Sequence, residues 1–249
     1  MSSHIPKVSI ITVVYNGASV LPKTIESIRV QTFKDYEYII VDGGSQDGTL
    51  DIIQANNKYI TTWISEKDKG LYDAMNKGMA LAKGEYLWFL NAGDLIYEPQ
   101  TLEKIFTQCP PADVYYGDAV ITDKNFNIIG KRDHKKLPYQ LTVKNMLWGM
   151  VVCHQSILVR KVIAPPYELA YPYSSDIDWV IKVLQKAQTV CNTNLILSKF
   201  QAGGISARKR RASWKDRFLI LRKHFGILPT LGVHIIFALR YLFQPKPKY

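Results

Sequence analysis

The run EYLWFLNAGD, from Glu85 to Asp94, constrains the fold more than any other stretch of this 249-residue chain. Five consecutive apolar residues in it are bounded by turn residues on both sides, which predicts a strand buried on both faces, as in a parallel sheet. Such a strand ends at the carboxyl edge of the sheet, where open α/β folds bind their ligands. We therefore expect Asp94 at the mouth of a cleft, where a carboxylate can hold a divalent cation against a diphosphate. An ordinary polar turn is the alternative interpretation.

Strands and helices alternate through the first ninety residues. Apolar clusters between turn residues predict the strands, and apolar residues repeated every three or four positions predict the helices. The predicted order is strand 8–15, helix 20–31, strand 36–41, helix 49–55, strand 61–65, helix 71–82 and the strand that ends at residue 91. This alternation predicts βαβ units, a mostly parallel central sheet and hence the α/β class.

The pattern is less regular after residue 97. The predicted elements are a helix at 102–106, paired strands at 114–123 and 126–130, a helix at 137–148, a strand at 155–159, a helix at 177–187 and a strand at 195–200. Ser174, Ser175 and Asp176 form an N-cap cluster before the 177–187 helix. We expect one domain at 1–205, in two halves that divide near residue 97, and a helical tail at 206–249.

The basic charge is concentrated in the tail. The chain has a net charge of +11. Residues 199–249 contain twelve Lys or Arg and one acid, Asp216. Residues 1–198 therefore hold 20 basic and 20 acidic side chains and are neutral overall. An anionic surface is the partner that such a distribution favours.

The tail also has an amphipathic pattern. One predicted helical face carries Trp214, Phe218, Leu221 and Phe225. Basic amphipathic helices of this kind bind at membrane interfaces, whereas the apolar run 231–239 is too short to span a bilayer. We expect the tail to bind an anionic membrane surface. Packing of the tail against the domain is the alternative.

Cysteine usage and the N-terminus favour a cytoplasmic protein. Cys109, Cys153 and Cys191 are widely spaced, odd in number and outside any CxxC pair, which favours a reducing compartment and argues against structural zinc. The first residues, MSSHIPK, lack the apolar core of a signal peptide. With the basic tail, this predicts a peripheral position at the inner face of the cell membrane.

The common nucleotide and hydrolase motifs are missing from the sequence. It contains no GxGxxG after the first strand, no GxxxxGK[ST] and no GxSxG, which argues against a Rossmann dehydrogenase, a P-loop NTPase and an α/β-hydrolase. The remaining candidates are Asp42, Asp94 and Asp176. One acid can bind a nucleoside, a second can bind a metal together with its diphosphate, and a third can accept a proton from an incoming hydroxyl. This division of tasks suits the transfer of a sugar from a sugar nucleotide.

Four blocks of sequence resemble the family 2 glycosyltransferases, which have the GT-A fold. The blocks are VSIITVVYNG, VDGGSQDGT, SEKDKGLYDAMNKGMALAKGEYLWFLNAGD and SSDIDW, and the resemblance covers about residues 5–205. The motifs are most similar to those of bacterial enzymes that build capsule, O-antigen or exopolysaccharide repeat units. The resemblance implies a catalytic domain at 1–205, with a nucleotide-binding half at about 1–97 and an acceptor-binding half at about 98–205.

The resemblance also implies a nucleotide site. Its residues are Val13, Tyr15, Asp42, Asp73 and Asn76. The first two line the pocket, the third hydrogen-bonds the base or the ribose, and the last two lie in the block that closes over the sugar nucleotide. Many relatives have a second acid where this chain has Gly43, so the identity of the base stays open. Asp68, just before the closing block, is most simply interpreted as a loop residue.

Asp94 matches the last carboxylate of the DXD-type motif, which holds Mg²⁺ or Mn²⁺ against the diphosphate. Asn91 and Gly93 replace the earlier acids of that motif. The resemblance therefore implies a single carboxylate ligand, with phosphate oxygens and water completing the shell, and weak metal binding without nucleotide.

Asp176 matches the catalytic base of the family. The base deprotonates the acceptor hydroxyl as it attacks the anomeric carbon opposite the diphosphate, which implies inversion. By position alone Asp176 is also a candidate N-cap, and Asp178 ranks second as a base. His154 is a candidate contact for the diphosphate or the acceptor, or else a buried histidine.

The leading hypothesis is an inverting, metal-dependent glycosyltransferase that uses a nucleotide-diphospho-sugar and a polyprenyl-diphosphate-linked glycan acceptor. A sugar-nucleotide nucleotidyltransferase is an alternative, although the loop Asn16–Ser19 has no Lys or Arg. A catalytically impaired sugar-nucleotide-binding relative is another, because Asn91 and Gly93 replace acids. A nucleic-acid-binding module would use the basic tail but leave the carboxylates unexplained, so we expect no nucleic-acid partner.

Overall fold

The computed structural model describes residues 4–131, 137–204 and 209–243. The strands are β1 (Val8–Val14), β2 (Tyr36–Asp42), β3 (Thr62–Ser65), β4 (Tyr86–Phe89), β5 (Leu95–Ile96), β6 (Val114–Thr122), β7 (Ile128–Lys131), β8 (Ile157–Arg160) and β9 (Val190–Gln201). The α-helices are α1 (Leu21–Arg29), α2 (Thr49–Ala55), α3 (Leu71–Leu81), α4 (Thr101–Gln108), α5 (Ser175–Lys186), α6 (Arg210–Phe225) and α7 (Ile227–Phe243).

One sheet runs through the described residues in the order β3-β2-β1-β4-β8-β6-β9-β5, with β7 beside β6. The first four strands in that order are parallel, and β6 and β9 form a further parallel pair. Every side chain of β1 and β4 is buried, as expected for central strands covered by helices on both faces. The predicted α/β fold, with parallel strands on either side of β1, is confirmed.

Alternate residues of each central strand enter two separate cores, one on each face of the sheet. Ile11 and Phe89 pack on the face covered by α3, α5 and α6, whereas Ile10 and Trp88 pack on the face covered by α1, α2 and α4. Gly78 allows α3 to approach the sheet closely, since a Cβ there would lie 2.5 Å from Ile11 Cγ2. The glycine is therefore required inside a helix that would otherwise favour alanine.

The predicted helix at 137–148 is wrong over its first half. Only Val143–Trp148 is helical, as a 3-10 turn. The hydroxyl of buried Tyr116 donates to the carbonyls of Pro138 and Tyr139 and accepts from the amide of Leu141. These contacts hold the segment in a non-helical conformation, because a fixed tertiary partner outweighs a weak local preference.

The tail begins by packing against the domain. On α6 the buried residues are Ser213, Asp216, Ile220 and Leu221, and the last two belong to the core that includes α5. The alternative given from the sequence, that the tail packs against the domain, therefore applies to α6. On α7, apolar side chains remain exposed, and no helix in the described residues has the length and apolarity to cross a bilayer.

Candidate active site

Asp42 ends β2 at the carboxyl edge of the sheet. Its Oδ2 accepts hydrogen bonds from the amides of Gly44 and Ser45, at 3.1 and 3.0 Å, and from Ser65 Oγ at 2.7 Å. Its Oδ1 is buried and has no hydrogen-bond partner among the described residues. A buried acceptor without a donor is costly, so Asp42 is suited to receive a hydrogen bond from a ligand.

Tyr15 and Val13, at the end of β1, differ in solvent exposure. The Tyr15 side chain is 68% exposed, whereas Val13 is buried in the core. The contribution of Val13 is its carbonyl, which accepts from the amide of Ala92 at 3.1 Å and ties the loop after β4 to β1. Tyr15 therefore offers an exposed aromatic surface next to Gly43, and Val13 contributes to the end of β1 through its backbone.

Asp68 lies beside Gly43, next to Asp42 in the chain. A Cβ built on Gly43 would lie 2.8 Å from Asp68 Oδ2 and 3.4 Å from the Tyr15 ring. Lys77 Nζ holds the other oxygen of Asp68 at 2.6 Å and also contacts Glu66 at 2.8 Å. The sequence analysis interpreted Asp68 as a loop residue, and its position beside Gly43 makes it a further candidate. The signal was the small residue at position 43, which leaves room for a carboxylate from another loop.

Asp73 and Asn76, both on α3, hydrogen-bond to neighbouring backbone groups. Asp73 Oδ2 accepts from the amide of Lys69 at 3.0 Å, which fixes the turn that enters α3. The Asn76 side chain bonds both backbone groups of Tyr167, donating to the carbonyl at 2.9 Å and accepting from the amide at 2.7 Å. These bonds give both residues a supporting role, and their contact with nucleotide stays a prediction.

Asp94 is enclosed in the loop between β4 and β5. It is 5% exposed, and its oxygens accept from Gln155 Nε2 at 2.8 Å and the amide of Gln201 at 3.1 Å. Burial raises the pKa of Asp94 to about 7, although these hydrogen bonds oppose the shift. Gly93 has φ +99°, a left-handed conformation that favours glycine and explains the missing acid at that position.

The fit of a divalent cation at this loop is partial. Asn91 Oδ1 is buried and has no hydrogen-bond partner in the described part of the chain. An amide oxygen three positions before Asp94 is therefore available as a ligand. No group of three His, Cys, Asp or Glu side chains suited to a metal occurs in residues 4–131, 137–204 and 209–243. Asp94 and Asn91 are therefore candidate ligands only if a bound diphosphate and water supply the other oxygens.

Asp176 is the second residue of α5. It is half-buried, and its Oδ1 accepts from Tyr72 Oη at 3.1 Å and from the amide of Ile177 at 3.0 Å. Burial and the charge of Asp176 raise the pKa of Tyr72 well above its ordinary value, so the phenol stays protonated and donates. Tyr72 therefore fixes the orientation of a carboxylate that is still partly open to solvent.

Asp178 has a different environment from Asp176, although only two residues separate them. It is fully buried and pairs with Lys182 at 2.5 Å, His224 at 2.7 Å and Lys223 at 3.3 Å. Burial opposes ionisation, but the bonds from His224 and Lys182 lower the pKa of Asp178 to about 2. This carboxylate joins α5 to α6, and its burial argues against a role in proton transfer.

His154 lies beneath the site among aromatic rings. Its Nε2 is 2.7 Å from Tyr167 Oη, and its ring packs against Phe89 and Trp179. Burial lowers the pKa of His154 to about 4, so the imidazole is neutral at physiological pH. This environment favours the buried-histidine alternative.

Contacts and short stretches of chain link the candidate residues. Asp42 ends β2 and Asp94 lies in the loop after β4, and these two strands lie on either side of β1 and run parallel to it. Asp68 lies beside the residue after Asp42, and its loop leads into α3, whose Tyr72 bonds Asp176. On the other side, Gln155 bonds Asp94, and its neighbour His154 bonds Tyr167, whose ring stacks on that of Tyr72. The three predicted acids are thus linked through a few intervening side chains.

Relatives with similar sequences carry glycosyltransferase names. The profile of the family "Glycosyl transferase family 2" matches residues 9–164. A "PGL/p-HBAD biosynthesis glycosyltransferase" of Mycobacterium tuberculosis is 36% identical over 212 residues, which cover 81% of this chain and 79% of that protein. The Escherichia coli "UDP-Glc:alpha-D-GlcNAc-diphosphoundecaprenol beta-1,3-glucosyltransferase WfaP" is 29% identical over 244 residues, or 94% and 91% of the two chains.

Solved structures share the fold at low sequence identity. S. aureus TarS 1-349 in complex with UDP-GlcNAc has a TM-score of 0.69 at 16% identity and aligns with 97% of this chain and 77% of its own. The mannosyltransferase PcManGT of Pyrobaculum calidifontis, in complex with GDP-Man and Mn²⁺, has a TM-score of 0.64 at 14% identity, covering 98% and 78%. Because the family profile matches more than half of the sequence and the sheet is that of the GT-A enzymes, this chain belongs to glycosyl transferase family 2.

Proposed function

We propose that this glycosyltransferase moves a sugar from a nucleotide-diphospho-sugar to a hydroxyl of a glycan carried on a polyprenyl diphosphate, with inversion at the anomeric carbon. The observation that carries the proposal is the half-buried carboxylate of Asp176, which Tyr72 orients at the start of α5. The buried acceptor oxygen of Asp42, at the carboxyl end of β2, supports it. The E. coli relative named for a diphosphoundecaprenol-linked acceptor supports the choice of acceptor. A role in surface polysaccharide or glycolipid synthesis follows from such an acceptor.

The donor base would bind against Tyr15, between the carboxylates of Asp42 and Asp68. Both acids accept hydrogen bonds, so they favour a base that donates N–H groups from its pairing edge. Uracil, thymine and guanine have a ring N–H there, and cytosine and adenine have an exocyclic N–H, so titration of the nucleotide sugars decides the base. The exposed Tyr15 ring would cover the face of the base, where aromatic contact adds about 1 kcal/mol.

Asp176 would act as the base of the reaction. A bond forms between the acceptor oxygen and the anomeric carbon while the bond from that carbon to the diphosphate oxygen breaks, and the acceptor proton passes to Asp176. The nucleoside diphosphate leaves with the electron pair. Tyr72 would keep the carboxylate aimed at the acceptor, because its protonated hydroxyl remains bonded to Asp176 Oδ1.

Asp94 and Asn91 would hold the Mg²⁺ or Mn²⁺ that arrives with the diphosphate. The bound cation would supply charge neutralisation on the leaving diphosphate. Asp94 must be ionised and give up at least part of its bonding to Gln155 in order to bind a cation, so we expect weak affinity for Mn²⁺ alone. The PcManGT complex, which contains Mn²⁺ together with GDP-Man, supports a cation in the donor complex.

Calorimetric titration of UDP-, GDP- and dTDP-sugars, with and without Mn²⁺, tests the proposed function. We expect one of them to bind in the micromolar range and more tightly with Mn²⁺. If none binds, the donor site is wrong. Synthesis of a nucleotide sugar from a sugar 1-phosphate and a nucleoside triphosphate would instead support the nucleotidyltransferase alternative. Donor binding without transfer to any lipid-linked acceptor would support the impaired relative.

Asp68→Asn is expected to weaken binding of the preferred nucleotide about tenfold, since a hydrogen bond to a charged group contributes about 1.5–3 kcal/mol. The measurement is the Kd of the nucleoside diphosphate by calorimetry. Glu66→Gln is the matched control, because Glu66 pairs with the same Lys77 but its side chain is 58% exposed. Equal losses in the two variants would mean that the loop position, not the Asp68 carboxylate, sets the affinity.

The apolar face of α7 is expected to bind anionic membranes. Its exposed residues, spaced by three or four positions, are Leu228, Leu231, Ile235 and Leu239. The double substitution of Leu231 and Ile235 by Ser should weaken binding to phosphatidylglycerol vesicles about 100-fold, since burial of each aliphatic side chain contributes about 1.5–3 kcal/mol. Val162→Ser, at an exposed apolar residue outside the tail, is the control for vesicle flotation. A double variant that floats like the wild type would show that this face does not bind lipid.

A further inference from the structure

The first tail helix, α6, holds the chain immediately before Asp176. Asp216 Oδ2 accepts a hydrogen bond from the amide of Tyr173 at 2.9 Å. The hydroxyls of Ser213 and Ser174 are 2.8 Å apart, and Ser174 Oγ also lies 3.2 Å from the carbonyl of Ser213. Two consecutive residues, three and two positions before Asp176, are thus fixed by α6.

The same helix holds the chain immediately after Asp176. The fully buried carboxylate of Asp178 contacts His224 Nε2 at 2.7 Å and Lys223 Nζ at 3.3 Å, both near the C-terminal end of α6. Because α6 contacts residues on both sides of Asp176, the backbone of the first turn of α5 is fixed at both ends.

These contacts are buried and polar, which distinguishes them from simple helix packing. Ile220 and Leu221 already bury the apolar face of α6 against the domain. Ser213 and Asp216 are also buried. Asp216 is the single acidic residue in the segment 199–249, which contains twelve Lys or Arg. Buried polar groups contribute little net stability but specify one geometry, because misaligned partners leave a costly unpaired group.

Arg217 adds a half-buried cation next to Asp216 in the chain. Its guanidinium lies 5.2 Å from the centre of the Phe237 ring and against Gly149, where a Cβ would lie 3.4 Å from Cζ. Burial lowers the pKa of Arg217, and the negative charge of Asp176 acts in the opposite direction. The tail therefore also places positive charge where it can stabilise the ionised form of Asp176.

We propose that α6 is a positioning element of the active site, with Asp216 as the residue that sets the backbone position of Asp176. On this view the basic tail is part of the catalytic machinery as well as a membrane contact. The inference rests on the proposed role of Asp176 as the base, but it assigns a new function to residues outside the stretch that matches the family profile.

The test compares Asp216→Ala, Asp216→Asn and Asp113→Ala in the full-length chain. The donor is whichever UDP-, GDP- or dTDP-sugar binds most tightly, and the acceptor is GlcNAc-diphosphoundecaprenol. We expect Asp216→Ala to lower kcat about 10- to 100-fold with the donor Kd unchanged, because a misplacement of about 1 Å can cost 100-fold. Asp216→Asn keeps an acceptor oxygen for the Tyr173 amide, so its kcat should stay within about threefold of the wild type by the same reasoning.

Asp113→Ala is the matched control. Asp113 Oδ2 accepts from the amides of Gln188 and Thr189, at 2.8 and 3.1 Å, just beyond the other end of α5. It should lower Tm without a comparable loss of kcat. Equal losses of kcat in Asp113→Ala and Asp216→Ala, or a wild-type kcat in Asp216→Ala, would overturn the proposal.

A second measurement covers the case in which Asp216→Ala does not fold. Ser213→Ala removes the contact between the two hydroxyls and keeps the Ser213 carbonyl beside Ser174 Oγ. We expect its kcat to fall about fivefold while the Tyr173 amide exchanges faster with solvent. Unchanged kcat in this variant would overturn the proposal. If Asp176→Asn is inactive but the α6 variants are fully active, only the positioning role fails. If Asp176→Asn is fully active, the proposed base itself is wrong.

Discussion

Asp176→Asn is expected to lower sugar transfer by about 10²–10⁴-fold and to leave donor binding unchanged, since this is the usual contribution of a positioned general base. The amide oxygen of Asn can still accept from Tyr72 Oη and from the amide of Ile177, at the positions where Asp176 Oδ1 now accepts at 3.1 and 3.0 Å. The substitution therefore removes the proton acceptor while it preserves the local structure.

The measurement is single-turnover transfer with saturating donor, paired with the Kd of the nucleoside diphosphate. Tyr72→Phe is the graded comparison, because it removes the hydrogen bond that orients Asp176 and keeps the carboxylate. We expect it to lower kcat about tenfold, which corresponds to about 1.4 kcal/mol. Turnover at the wild-type rate in Asp176→Asn would remove this residue as the base and return it to the role of an N-terminal helix residue.

The N-terminal half of the fold could be predicted because one physical rule applies throughout it. Strands covered on both faces must be apolar along their whole length, so β1 and β4 are visible as uninterrupted runs. Parallel neighbours then bring the residues after β2 and β4 to one edge of the sheet. The second half lacks this regularity, and the conformation of residues 137–142 depends on the hydroxyl of Tyr116, which no local pattern records.

The residues that sequence reasoning missed act across the fold. Asp68 is a candidate because Gly43 has no side chain and leaves room for its carboxylate, and this relation joins two loops that are 25 positions apart. The tail was interpreted from its apolar and basic residues, which describe what faces solvent or lipid. The informative residue was the exception to that pattern, Asp216, since a single acid in a basic segment is the group most suited to a specific buried partner.

Asp94→Asn has the second large expected effect. It distinguishes a role of Asp94 in metal binding from a role in the stability of the fold. The Asn oxygen can accept from the amide of Gln201, and its NH2 group then faces Gln155, whose side-chain amide must turn to present its oxygen. We therefore expect Tm to fall by only a few degrees. The variant cannot supply an anionic ligand, and we expect it to lose the Mn²⁺-dependent gain in nucleotide affinity and about 100-fold in transfer, or roughly 3 kcal/mol.

Asn91→Asp gives the converse test, because it adds a carboxylate at the position where the buried Oδ1 of Asn91 has no hydrogen-bond partner in the described residues. If the cation binds between the loop after β4 and the diphosphate, this variant should bind Mn²⁺ measurably without nucleotide, whereas the wild type should not. Both effects are read by titration of Mn²⁺ against the protein and against its nucleotide complex. If Asp94→Asn keeps its full Mn²⁺ dependence, the cation is held by the diphosphate and other groups, and the burial of Asp94 has a purely structural purpose. That outcome would leave the transferase assignment intact, since it depends on the match to the family, and would place this chain among enzymes whose carboxylate in this loop does not bind the metal.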